Sequence, residues 1–82
     1  MLAKDIELLI ARQLPDAKIT ITGDDGVHFA AIIVTDSFMN KKTIERQKMV
    51  YKGVAEHISS GAIHALSLKT YTTAEWQNVC AN

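Results

Sequence analysis

The sequence predicts an α+β domain of order α-β-β-α-β-α, with a three-stranded mixed sheet in strand order 1-2-3. Two runs with strand character flank the turn sequence GDDG, and helical periodicity precedes them. A long helical stretch then separates the second strand from a third apolar run, which makes a β-α-β unit with parallel strands. With 82 residues, the chain is a single domain, 1–82, because two separate cores would each be too small to offset the entropy of ordering.

From Leu2 to Leu14, apolar residues recur at Leu2, Ile6, Leu9, Ile10 and Leu14, the spacing of an amphipathic helix that Pro15 ends. Ala17 to Thr22 alternates with period two and reads as a strand covered on one face. Gly23 to Gly26 forms the turn. A phosphate-cradling reading of its glycines is disfavoured by the two aspartates between them. Val27 to Val34 is apolar on both alternating sets except at His28, which predicts the central strand.

Asp36 to Lys42 is a connection, and Thr43 to Ser59 is the longest predicted helix. Its inward stripe is Ile44, Tyr51, Val54, Ala55 and Ile58, with Val50 at the edge. Ser59, Ser60 and Gly61 break it, and the run from Ile63 through Ala65, Leu66 and Leu68 is the third strand. Thr72 followed by Glu75 is a capping-box signature, which makes Trp76 a first-turn residue of a last helix, able to fold back on the sheet.

Nine basic and nine acidic residues cancel, so no global field draws the chain to nucleic acid or an anionic membrane. The longest apolar run, FAAIIV, is six residues, too short to span a bilayer. Neither a membrane span nor a signal peptide is expected, and a cytoplasmic setting is. The single cysteine, Cys80, cannot form an intrachain disulfide and reads as an ordinary thiol. A serine-histidine-aspartate set with its elbow, HExxH, a P-loop and a Rossmann fingerprint are all missing, so an enzyme is not expected.

Two features carry candidate chemistry. His28 and His64 lie near the starts of strands expected to be parallel neighbours, and two imidazoles at one sheet end supply half of a metal site. Each also reads as a partly buried, hydrogen-bonded histidine. The cluster Lys41, Lys42, Arg46, Lys48 and Lys52 is the one positive patch; a solvated helix face explains it, and without interleaved aromatics or a base-reading motif contacts to nucleic-acid phosphate are the lesser reading.

GDDGVHF at 23–29, IERQKMVY at 44–51 and IHALSLKTYTTAEW at 63–76 occur in an order and spacing by which the chain resembles the BolA family, more closely its short IbaG-like branch. The resemblance implies a class II KH-like fold and a stress-response role. It implies partnership with a monothiol glutaredoxin, as a heterodimer formed from a monomer that holds no cofactor when isolated. It further implies a [2Fe-2S] cluster shared with the partner's cysteine and glutathione, ligated here chiefly by His64. His28 is the second expected ligand, because Asp24 and Asp25 fill the loop where relatives carry one. His64, Tyr71 and Trp76 are the expected partner-binding residues. The alternative class is a transcriptional regulator that meets DNA through Lys41, Lys42 and Arg46.

Overall fold

The computed structural model describes residues 1–23, 25–63 and 65–81. Its elements are α1 (Ala3–Gln13), β1 (Lys18–Thr22), β2 (His28–Val34), a 3-10 turn (Asp36–Phe38), α2 (Thr43–Tyr51), α3 (Ala55–Ser59), β3 (Ala65–Tyr71) and α4 (Thr73–Ala81). The sheet order is β1-β2-β3, as the sequence predicts, with β1 antiparallel and β3 parallel to β2. The registers run Lys18 to Val34 to Tyr71 at one end, and Thr22 to Ala30 to Ser67 near the other.

Period-two alternation sorts each strand between two faces. Phe29, Ala31, Ile33 and Leu66 join Ile6, Ile10 and Leu14 of the α1 segment, with Phe38, Val50, Val54 and Ile63, in one core. Thr20, Thr22, Ala30, Ser67 and Lys69 are exposed on the opposite face. Central position therefore does not mean burial on both sides. Of the second apolar set of β2, Val34 is the buried member, and it lines a small cavity with Trp76.

The predicted long helix is two helices. After Tyr51 the backbone tightens through i to i+3 hydrogen bonds, Gly53 N–H to Val50 and Val54 N–H to Tyr51, and Val54 leaves helical geometry at φ −122°. Close packing explains where this happens: a Cβ on Gly53 would lie 3.0 Å from the Leu9 carbonyl oxygen and 3.3 Å from Gln13 Cβ. The break resets the helical phase. Val50 and Val54 are fully buried, whereas Ile44 and Ile58 of the expected stripe are exposed and Tyr51 is half-buried, its hydroxyl donating to the Leu66 carbonyl at 3.0 Å.

The capping box forms as expected. Thr72 N–H donates to Glu75 Oε1 at 2.9 Å, and Glu75 N–H donates to Thr72 Oγ1 at 3.2 Å. Thr73 N–H adds a bond to Asp36 Oδ1, which ties α4 to the 3-10 turn. Trp76 folds back onto Tyr71, ring centroids 5.2 Å apart.

Candidate functional site at the start of the parallel strands

The β1–β2 turn is built around one carboxylate. Asp25 Oδ1 accepts the backbone N–H groups of Val27 at 3.0 Å and His28 at 2.8 Å, and its Oδ2 lies 2.7 Å from His28 Nδ1. These bonds favour the ionised form, so the two backbone donors and then the imidazole hold the Asp25 carboxyl far below the usual range. Two backbone donors at this turn, those of Val27 and His28, are thus taken by the chain's own side chain. Gly23 and Gly26 supply positive φ at the turn, and Gly23 also lies close against His28 and Phe29.

His28 is anchored on one side and open on the other. Its neighbour Phe29 is buried in the core, while the His28 side chain is 66% exposed. Register places His28 opposite Ala65, whose N–H donates to the Val27 carbonyl at 3.2 Å. The His28 ring therefore stands at the end of the sheet where β3 begins. His64 lies outside the described residues. Its chain neighbour Ile63 is buried in the core, and its other neighbour Ala65 is exposed. Among the described residues, no three histidine, cysteine, aspartate or glutamate side chains converge on a point that could hold a metal ion.

Tyr71 and Trp76 occupy the opposite end. Tyr71 is the last residue of β3, six strand steps and so about 20 Å from Ala65. A partner that touches both ends must span the whole strand. Cys80 is exposed on α4, the helix that follows the Tyr71 end of β3.

The basic patch divides between Arg46 and its lysines. Lys41, Lys42, Lys48 and Lys52 are exposed. Arg46 is turned inward, with a side chain 12% exposed, and holds Glu75 through two bonds of 2.6 and 3.2 Å. Its guanidinium also donates to the carbonyls of Lys41 and Thr70 and sits 5.7 Å from the centroid of the Phe38 ring. Glu75 is lowered from 4.5 to about 2, chiefly by Arg46 and then by the Thr72 N–H. Arg46 is thus committed to a structural node joining α2, β3 and α4, and sequence reasoning missed this role. The arginine of the 44–51 segment and the glutamate of the 63–76 segment are the two ends of one ion pair.

A family model described as BolA-like protein matches residues 11–75. The acid stress protein IbaG of Escherichia coli (strain K12) is 35% identical over 72 residues, 88% of this chain and 84% of that protein. The DNA-binding transcriptional regulator BolA of the same organism is 38% identical over 52 residues, 63% of this chain and 49% of that protein. Among solved structures, a bolA protein homologue from Coxiella burnetii superposes with a TM-score of 0.82 at 35% identity, covering 94% of this chain and 97% of that one.

Proposed function

Because the chain belongs to the BolA-like family, we propose that it is a non-enzymatic cytoplasmic adaptor that binds a monothiol glutaredoxin and co-ligates a [2Fe-2S] cluster. Its task on this reading is iron-sulfur trafficking or iron and redox sensing. The observation that carries the reading is the exposed imidazole of His28, fixed by Asp25 at the sheet end where β3 begins. Neutral imidazole is a fitting ligand for iron, and histidines replace cysteines on one iron of some [2Fe-2S] centres. The donor set suits a shared group better than a resident one. His64 and His28 are the ligands from this chain, and the partner's cysteine with glutathione completes the set. A bound cluster of this type supplies one-electron redox chemistry, or is itself the cargo.

The test is a visible absorption and circular dichroism titration of a [2Fe-2S]-loaded monothiol glutaredoxin, with glutathione, by this protein and by His64→Ala. Saturating spectral change with the wild type, lost in the variant, is the expected result. A variant that reproduces the wild-type spectrum would remove His64 from the ligand set, and a silent wild type would sink the reading.

The second reading is DNA binding, supported by the similarity to a regulator bearing that name and by the exposed Lys41 and Lys42 at the start of α2, where the helix dipole also favours phosphate.

A further inference from the structure

We propose that Asp25 is a positioning residue that holds His28 in the Nδ1–H tautomer and so commits Nε2 as the ligating atom. This inference rests on the shared-cluster reading for the identity of the group that Nε2 meets. Three observations lead to it. An ionised carboxylate is an acceptor only, so the 2.7 Å contact between Asp25 Oδ2 and His28 Nδ1 requires the proton on Nδ1. A neutral ring protonated there carries its lone pair on Nε2.

The carboxylate cannot easily turn away, because its other oxygen takes two backbone N–H groups of the strand that carries the ring. The backbone of that strand is held in turn by Phe29 in the core and by Gly23 against the His28 carbonyl. Ligating histidines in metal sites are oriented in this way, by a carboxylate or carbonyl on the nitrogen that does not touch the metal. The sequence carried the signal as D-x-x-H across the turn. There Asp25 read only as a turn residue.

Asp25→Asn separates this role from a merely structural one. The amide oxygen can keep the backbone bonds to Val27 and His28, but the amide nitrogen is a donor and turns Nδ1 into an acceptor. The proton then moves to Nε2 and covers the ligating lone pair. Long-range proton–nitrogen NMR of the isolated, labelled protein, at a pH where the ring is neutral, reads the tautomer directly. The backbone amide spectrum reports whether the turn is kept.

The expected result is Nδ1–H in the wild type, inversion to Nε2–H in Asp25→Asn, and a cluster-loaded glutaredoxin complex weakened about 10- to 100-fold, the usual cost of losing such a partner. His28→Ala should weaken the complex at least as much. An Nε2–H ring in the wild type, or a tautomer indifferent to Asp25→Asn, overturns the proposal while leaving the shared-cluster reading standing. An inverted tautomer with undiminished affinity overturns the positioning role. No spectral change with wild-type protein overturns ligation by Nε2 together with the functional reading, whatever the tautomer.

Discussion

At Gly23 the backbone has φ +154°, and a Cβ there would stand 2.6 Å from the His28 carbonyl oxygen and 2.7 Å from a ring carbon of Phe29. Neither neighbour can give way cheaply, since the first is strand backbone and the second belongs to a buried core residue. Gly23→Ala should therefore destabilise the protein by about 1–3 kcal/mol, the range for enforced strain or overpacking. A urea denaturation midpoint measures it, and the amide signals of His28 and Phe29 should move in the same variant. An unchanged midpoint would mean that the turn has room that the structure does not show. The sequence marked Gly23 as a turn glycine. Its close approach to His28 depends on where the β1–β2 register ends, which a residue pattern does not record.

At the scale of elements, α4 is fastened by Glu75 to its own cap and to Arg46. The folded protein holds Glu75 ionised down to about 2, whereas the unfolded chain takes up its proton near 4.5. The stabilisation is therefore fully present above the unfolded value and is lost as pH falls toward the folded one. Thermal midpoints followed by the fluorescence of Trp76, the one tryptophan, should decline between pH 5 and pH 2. Glu75→Gln should begin lower and decline less steeply over that window. Asp25, also held low, contributes to both proteins, so the difference between them isolates Glu75. The effect is modest and weakens with salt, because the Glu75 side chain is half exposed. Equal slopes in the two proteins would show that the ion pair does not fasten α4. The capping box was legible from Thr72 and Glu75 alone, because its partners are three residues apart. The Arg46 partner was not, since 29 residues separate the two.

For the molecule as a whole, the charge is balanced and the exposed positive side chains at the start of α2 are few. If duplex DNA is a partner, Lys41→Gln with Lys42→Gln should lower the slope of log affinity against log salt by about 2, near 0.9 for each phosphate that the lysines no longer neutralise. Arg46→Gln should instead lower the unfolding midpoint, because its guanidinium is spent on Glu75 and two carbonyls. Binding measured by fluorescence anisotropy at several salt concentrations distinguishes these outcomes. A salt slope unaltered by the double lysine variant would exclude this patch as the DNA-binding surface.

Strand order, the antiparallel and parallel pairings, the capped last helix and the family were all determined by the sequence itself, because each depends on local alternation, turn chemistry or a short ordered motif. The break in the long helix was not, since it arises where Gly53 admits the backbone of α1, and helical periodicity within one segment carries no trace of a neighbour. Arg46 counted with the positive patch for the same reason: a charged residue reads as solvated until a partner 29 residues away is known. Likewise, residue types and strand starts were enough to single out His28, but only the tertiary structure set its ring against Asp25 and its backbone opposite Ala65. Hydrogen-bond direction and strand register belong to the folded chain, and they decide which nitrogen of that ring faces outward.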